Sequence, residues 1–196
     1  MRTESVFLCG VGGQGVLLAA KIIAGAAEVS GLEVRSNEIH GMAQRGGSVT
    51  AQVKFGTEVF SPLIPEGSAD ALGALEHIEA LRWAHFLKPD GTAAVNAQSI
   101  IPTTVSSGAA KYPEDVPGRL AKVFPRMIYS DCAGKAAELG DARCANTILC
   151  GMLSTALSLE IGAWEESIRT RLPAKAVELN LEAFKYGQGL TVKGKR

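Results

Sequence analysis

The 196-residue sequence lacks an excess of either charge, because Lys and Arg total 20 and Asp and Glu also total 20. A net charge of zero removes the electrostatic attraction that draws basic proteins to nucleic acid or to an anionic membrane. Nearly neutral proteins associate more readily, which favours a chain that works inside a complex. We therefore expect a protein partner, no nucleic acid and no membrane.

Long hydrophobic runs are also missing. The longest apolar stretch, residues 16–27, contains Lys21 and is shorter than the roughly 20 residues that a membrane-spanning helix needs. Glu4 and the glycines after it interrupt the apolar core of a secretory signal, so none is expected. Since hydrophobic residues make up 46% and charged residues 20% of the chain, residues 1–196 are expected to form a single globular domain in the cytoplasm.

Few residues could form a metal or catalytic site by themselves. Three histidines lack metal-ligand spacing, and no serine lies in a G-x-S-x-G motif. The four cysteines show neither a C-x-x-C motif nor iron–sulfur spacing, and we expect small buried residues in a reducing compartment: Cys9, Cys132, Cys144 and Cys150. The chain is thus expected to hold no metal, its catalytic residues stay unknown, and it is expected to act as a subunit.

Glycines form the first distinctive motif, between an apolar strand predicted at residues 5–9 and an apolar helix at 14–29. Gly10, Gly12 and Gly15 match the G-x-G-x-x-G spacing, with Gly13 and Gln14 between them. Such a turn presents backbone N–H groups and a helix N-terminus to a phosphate, and the Gln14 amide could also donate to an anion. The motif alone leaves three interpretations open. The turn could bind a dinucleotide pyrophosphate, it could bind another phosphate or the edge of a substrate, or its glycines could only permit a tight β-α crossover.

A nicotinamide dinucleotide would require an acidic residue at the end of the second strand, where it binds the ribose. That strand is predicted at residues 33–36, and Glu33 and Glu38 flank its end without matching it. The dinucleotide alternative is weakened accordingly.

A second glycine-rich cluster, His40 to Ser48, falls in a long loop predicted at residues 37–47. Arg45 offers a planar guanidinium for a carboxylate or phosphate, and His40 can donate, accept or titrate. Gly46 and Gly47 would let backbone N–H groups close on an oxyanion. We assign the first cluster to cofactor binding: Gly10, Gly12, Gly13, Gln14 and Gly15. We assign the second to a substrate or interface loop: His40, Gln44, Arg45, Gly46, Gly47 and Ser48.

Strand and helix patterns alternate along the chain, which predicts an α/β fold: a Rossmann-like three-layer sandwich with a mostly parallel sheet and a β-hairpin. The alternation at residues 48–55, followed by Gly56-Thr57, predicts the hairpin with residues 58–61. Ser68 and Asp70 are typical of a helix start, so a helix is expected there. The remaining predictions are a turn at 88–91, strands at 92–96 and 126–131, and helices near 135–139, at 146–159 and between Pro173 and Gly187.

Four segments occur in the order found in one enzyme family: residues 10–15, 40–49, 61–65 and 87–91. Together they resemble the gamma-type subunit of 2-oxoacid:ferredoxin oxidoreductases, and segment 40–49 is most similar to the indolepyruvate type, where this subunit is called beta. The resemblance covers nearly the whole chain, with the middle, residues 100–123, least distinctive.

This resemblance implies thiamine-dependent oxidative decarboxylation of a 2-oxoacid to an acyl-CoA, with electrons passed to ferredoxin. It implies that thiamine pyrophosphate and 4Fe-4S clusters belong to a larger alpha subunit in a hetero-oligomer, so this chain alone holds no cofactor. Coenzyme A, the co-substrate, would meet the glycine turn or the Arg45 loop. A free-standing dinucleotide-binding protein and a purely structural subunit stay open as alternatives.

Overall fold

The computed structural model describes residues 2–40, 46–101, 105 and 111–192. The strands are β1 (Glu4–Val11), β2 (Glu33–His40), β3 (Ser48–Gly56), β4 (Ala69–Ala74), β5 (Leu87–Asn96) and β6 (Met127–Ser130). The helices are α1 (Val16–Val29), α2 (His77–Arg82), α3 (Val116–Val123), α4 (Cys132–Leu139), α5 (Ala145–Ser154), α6 (Ile161–Arg171) and α7 (Ala174–Gln188). Short 3₁₀ helices lie at Ala84–Phe86 and Ala142–Cys144. None of these helices is long and apolar enough to cross a membrane.

The strands form one mixed sheet with the order β2-β3-β1-β4-β5-β6. Strands β1, β4, β5 and β6 are parallel neighbours, whereas β3 runs antiparallel to both β1 and β2. The predicted mostly parallel α/β sheet is therefore confirmed. The first β-α-β unit also forms, but β3 lies between its two strands.

Both faces of the sheet are covered, as the alternation along β1 shows. Val6 and Leu8 pack on one face with buried residues of α1, α5, α6 and α7. Phe7 and Cys9 pack on the other face with residues of α2 and α3. A strand buried on both sides carries an unbroken apolar run, which explains the pattern at residues 5–9. The three-layer prediction is confirmed.

The hairpin forms in a different place from the predicted one. Strand β3 pairs with β2, residue for residue from His40↔Val49 to Glu33↔Gly56, and residues 57–61 form no strand. The strand predicted from the alternation at 48–55 is confirmed, but its hairpin partner precedes it in the chain. Because β2 continues to His40, the predicted loop at 37–47 is also shorter than expected.

The prediction of a helix that begins after Ser68 is wrong, because residues 69–74 form the central strand β4. Leu72 and Leu75 have helix-like spacing, yet they pack on opposite faces of the sheet. Asp70 caps no helix: its carboxylate accepts hydrogen bonds from Ser5 N at 2.8 Å and from Lys88 Nζ at 2.7 Å. The turn predicted at 88–91 is instead the first half of β5.

Candidate functional site

The glycine turn joins the end of β1 to the start of α1. Gly13 and Gly15 have φ values of +102° and +87°, a region that residues with a Cβ rarely adopt. Gly15 is the N-cap of α1 and has no side-chain cap, and the first turn of the helix carries no acidic residue. The first N–H groups of a helix have no partner inside it, so this end of α1 can accept an anion.

Gln14 supports the turn from within the chain. Its Oε1 accepts from Val11 N at 2.7 Å, and its Nε2 donates to Leu75 O at 2.8 Å and to Gln98 Oε1 at 2.9 Å. Both amide hydrogens are therefore used by the protein, in contrast to the expectation that this amide donates to an anion. Gln14 instead ties together the ends of β1, β4 and β5.

The two glycine clusters contact each other. Gly12 N donates to Gly47 O at 2.8 Å, and Gly46 N lies 3.5 Å from Gly12 O, which extends the β1–β3 ladder past Val11↔Ser48. The structure thus brings Gly46, Gly47 and Ser48 to the glycine turn. His40 ends β2 opposite Val49, whereas Gln44 and Arg45 lie outside the described residues.

A buried carboxylate that sequence reasoning missed anchors the second cluster. Glu79 of α2 is 5% exposed, and its Oε2 accepts from Ser48 Oγ and, at 3.1 Å, from Trp83 Nε1. Its other oxygen lies 2.9 Å from Arg82 Nε. Nothing in the sequence indicated this role, because Ser48 and Glu79 are brought together only by the packing of α2 on the sheet.

His77, which the sequence did not single out, belongs to a second polar cluster at the start of α2. Its Nδ1 lies 3.1 Å from Tyr129 Oη, and its Nε2 lies 2.9 Å from Tyr112 Oη and 2.7 Å from Ser99 Oγ. Burial lowers the pKa of His77, although nearby Glu76 opposes the shift. The imidazole is therefore neutral near pH 7 and exchanges hydrogen bonds with hydroxyl groups.

Two clefts open beside the glycine turn. The first, about 370 Å³, is largely apolar and lies between the turn, α1 and Val49. The second, about 410 Å³, is lined by the turn and by residues that follow the parallel strands, among them Leu75, Gln98 and Ala133. Helix α1, which follows β1, packs on one face of the sheet, and α2, which follows β4, packs on the other. Ligands of open α/β sheets bind at such a divergence, beyond the carboxyl ends of the strands.

A family model for pyruvate ferredoxin/flavodoxin oxidoreductase matches residues 5–189. The chain belongs to this oxidoreductase family. The indolepyruvate oxidoreductase subunit IorB of Archaeoglobus fulgidus is 44% identical over 195 residues, which are 97% of this chain and 96% of that protein. The family resemblance carried by the four sequence segments is thus confirmed.

Two solved structures share the fold of this oxidoreductase-family chain. The gamma subunit of keto/oxoacid ferredoxin oxidoreductase from Geobacter sulfurreducens has a TM-score of 0.73 at 23% identity, and the match covers 95% of each chain. A 2-oxoglutarate:ferredoxin oxidoreductase from Magnetococcus marinus, with 2-oxoglutarate, coenzyme A and succinyl-CoA bound, has a TM-score of 0.73 at 21% identity. The match covers 96% of this chain but 31% of that one, where the same fold is part of a longer chain.

The position of the acidic residues in this family member disfavours a nicotinamide site. Glu33 begins β2, at the edge of the sheet opposite the glycine turn, and its Oε2 accepts from Val59 N at 3.0 Å. Glu38 lies nearer the correct end, but β3 separates β2 from β1. Two strand spacings, roughly 10 Å, then lie between the turn and the strand that should supply the ribose-binding acid.

The cysteines of this family member do not fit a 4Fe-4S cluster. All four are buried free thiols; Cys9 lies on one face of the sheet and the other three on the opposite face: Cys132, Cys144 and Cys150. Burial raises the pKa of every one of these thiols, that of Cys132 to about 12. Cluster ligands are thiolates, so these residues are packing residues, as expected. Within the described ranges, His, Cys, Asp and Glu form no group that could hold a metal ion.

Proposed function

We propose that this chain is the small subunit of an indolepyruvate:ferredoxin oxidoreductase. The observation that carries the proposal is the 44% identity with an indolepyruvate oxidoreductase subunit over nearly both full chains. Membership in the family, residues 5–189, supports action on a 2-oxoacid with ferredoxin as the electron acceptor. We take residues 1–196 as one domain and the cytoplasm as its compartment, in keeping with four free buried thiols.

The proposal gives the redox cofactors to a larger alpha subunit. Thiamine pyrophosphate supplies the decarboxylation chemistry there, and 4Fe-4S clusters carry the electrons to ferredoxin. The dispersed, protonated cysteines of this chain support that division, since they are unsuited to ligate a cluster. The small and large subunits together then form the hetero-oligomer in which the reaction takes place.

We assign the glycine turn to coenzyme A. The uncapped N-terminus of α1 offers neutral N–H donors to a pyrophosphate, and the space beside Gly13 is open. Gln14 and Asn96 both donate to Leu75 O, which holds the strand ends rigid around the second cleft. This chain would thereby orient the co-substrate and leave the bond-making steps to the partner.

We assign the second cluster, from His40 through Gln44 and Arg45 to Ser48, to the loop that faces the substrate or the alpha subunit. Its described end is fixed from two sides, by Gly12 through Gly47 and by Glu79 through Ser48. A loop anchored so firmly next to the glycine turn can couple coenzyme A binding to the partner. Arg45 is the residue of this loop suited to a phosphate or carboxylate.

Anaerobic co-purification with the alpha subunit, followed by viologen reduction with indolepyruvate and coenzyme A, tests the proposal. We expect activity that requires both chains and coenzyme A, with indolepyruvate preferred over 2-oxoglutarate and pyruvate. Arg45→Ala should lower kcat/KM by about tenfold, the size of one charge-assisted hydrogen bond, while Arg35→Ala, an exposed arginine on β2, should not. Coenzyme A-independent turnover, or a protein that binds NAD and has no partner, would contradict the proposal.

A further inference from the structure

The connector between β3 and β4, residues 57–68, exposes two large apolar side chains. Phe60 is 86% exposed and Leu63 is 58% exposed, whereas Val59 and Ile64 beside them are buried. The connector includes residues 61–65, one of the four segments that carry the family resemblance. It therefore turns some of its apolar residues into the core and others towards solvent.

The connector is held firmly on the sheet. Val59 N donates to Glu33 Oε2 of β2 at 3.0 Å, and Ile64 N donates to Gln52 Oε1 of β3 at 2.6 Å. Two prolines within the connector restrict its backbone further. Because this segment is already ordered, its exposed side chains would lose little conformational entropy when a partner binds them.

The register of the sheet places Ile39 on the same face as the connector. Gln52, which holds the connector, is paired with Phe7 and so lies on the face that α2 and α3 cover. Thr50, two residues away along β3, lies on that face too, and Ile39 is paired with Thr50. Two strand residues span about 7 Å, so Ile39, which is 53% exposed, lies beside the connector.

We call the surface formed by Ile39, Phe60 and Leu63 the connector face. These are three of the seven large hydrophobic side chains that are exposed in the described part of the chain. Helices α2 and α3 pack on the same side of the sheet, against core residues of β1, β4 and β5. Over β3 the connector forms this layer, and its outer side chains are uncovered. Exposed apolar groups on a rigid segment are typical of a protein interface.

The place of the connector face in the fold indicates which protein covers it. Ile39 directly precedes His40, where the second cluster begins. We assign that cluster to the loop that faces the substrate or the alpha subunit, so the connector face continues this side of the molecule along β2. A surface that begins at the proposed subunit contact is best explained as part of it.

The edge of β2 disfavours a second copy of this chain as the occupant. Glu33, Arg35 and Glu38 are exposed charged residues along this strand. Charged side chains on an edge strand oppose the pairing of two such edges. The apolar residues of the connector face are thus better suited to a different protein.

We propose that the connector face binds an apolar surface of the larger alpha subunit, with Phe60 as the central anchor. This inference rests on the proposed function, which makes this chain the small subunit. Aromatic residues are enriched in the buried centres of interfaces, where a few side chains supply most of the binding free energy. Ile39 and Leu63 would flank the anchor and exclude water from it.

Binding of this chain to the immobilised alpha subunit, measured anaerobically, tests the proposal. Phe60→Ser should raise the Kd about tenfold to a hundredfold, and Ile39→Thr and Leu63→Ser about three- to tenfold each. Phe60→Leu, which keeps an apolar side chain, should retain most of the affinity. Ile161→Ser changes an exposed apolar residue of α6, on the opposite face of the sheet, and is the matched control that should leave the Kd unchanged.

Two further readouts separate assembly from folding and from catalysis. Thermal unfolding of the isolated Phe60→Ser chain should match the wild type, because the replaced side chain is exposed. In the viologen assay, Phe60→Ser should lower activity when this chain is limiting. It should reach the wild-type kcat, with an unchanged KM for coenzyme A, when this chain is in excess over the alpha subunit.

The outcomes distinguish this inference from the proposed function. If the wild type binds the alpha subunit and Phe60→Ser binds equally well, the connector face is not the contact, and the proposed function stands. If Phe60→Ser instead abolishes self-association of the isolated chain in sedimentation velocity, with an unchanged Kd for the alpha subunit, a second copy is the occupant and the proposal is overturned. A wild-type chain that does not bind the alpha subunit would overturn the proposed function and this inference together.

Discussion

At the residue scale, the candidate site depends on side chains whose roles differ from those their types suggest. Gln14 lies where an amide would be expected to donate to an anion, yet all of its hydrogen bonds are internal. Glu79 is a buried carboxylate with the hydroxyl of Ser48 and the indole of Trp83 as partners. The sequence predicted the glycine turn, but not that Gln14 and Glu79 would be held by contacts within the protein.

His77 allows a test of one such buried group by pH. Because burial lowers its folded-state pKa, protons bind the unfolded chain first as the pH falls below about 6.5, the usual pKa of histidine. Folding stability should therefore decrease as the pH falls through this range. The His77→Gln variant lacks this pH-dependent change in stability. At pH 8 its lost hydrogen bonds to Tyr112 and Tyr129 should lower the free energy of unfolding by about 1–2 kcal/mol.

Urea unfolding of the isolated chain at pH 8 and at pH 5.5 measures both effects. The gap in free energy of unfolding between wild type and His77→Gln should narrow at the lower pH. His85→Gln, which changes a half-exposed histidine, is the control. A gap that widens on acidification would show that His77 is protonated more easily in the folded protein.

At the element scale, the sequence predicted elements well where one periodicity dominated. The buried strand at residues 5–9, the apolar α1 and the last helix after Pro173 all form as expected. Strand β4 was missed because its residues, small and buried on both faces, carry no alternation. The three-residue spacing of Leu72 and Leu75 is also typical of a helix. Their positions on opposite faces of the sheet show that the segment does not form one.

The start of α1 is packed closely against α5, and Gly15 permits this contact. A Cβ at Gly15 would lie 2.3 Å from Asn146 Nδ2, in addition to the strain of its φ of +87°. Gly15→Ala should thus lower the free energy of unfolding by about 2–5 kcal/mol, since positive φ costs about 1–2 kcal/mol and overpacking about 1–3 kcal/mol. Thermal unfolding compared with the wild type measures the loss.

Gly31→Ala is the matched control for backbone strain alone, because Gly31 has a φ of +72° and open space around its Cβ position. It should lose about 1–2 kcal/mol. A double-mutant cycle of Gly15→Ala with Asn146→Ala should recover the steric part of the loss and leave the strain. Equal losses for Gly15→Ala and Gly31→Ala would show that Asn146 moves aside freely.

At the scale of the whole molecule, the candidate site and the ion pair of Asp70 with Lys88 lie at opposite edges of the sheet. The glycine turn, Gly46 and Gly47 of the second cluster, and the second cleft lie beyond the carboxyl ends of β1, β4 and β5. Residues far apart in the chain meet there, such as Gly15 and Asn146, so local patterns predicted the glycine turn but not Asn146 as its neighbour. Only the strand order, with crossovers diverging between β1 and β4, brings these segments together.

At the opposite edge of the sheet, Asp70 connects the first residues of β1, β4 and β5. Its carboxylate accepts hydrogen bonds from Ser5 N, Ser5 Oγ and Lys88 Nζ. Burial by itself would raise the pKa of Asp70, but the hydrogen bonds from Lys88 and Ser5 outweigh it and lower the pKa. A lowered folded-state pKa contributes stability above the unfolded value near 3.8, and this contribution is lost as the pH falls through the folded value.

Asp70→Asn should therefore destabilise the chain at pH 7 by about 1–3 kcal/mol, the size of hydrogen bonds to a charged group. The difference from the wild type should shrink as the pH falls below 4, where both states of the wild type become protonated. Because the glycine turn lies at the other edge, the KM of the assembled complex for coenzyme A should stay unchanged. Denaturant unfolding across pH 3–7, with that KM measured on the same variant, checks both halves; a raised KM would show that the two edges of the sheet are coupled.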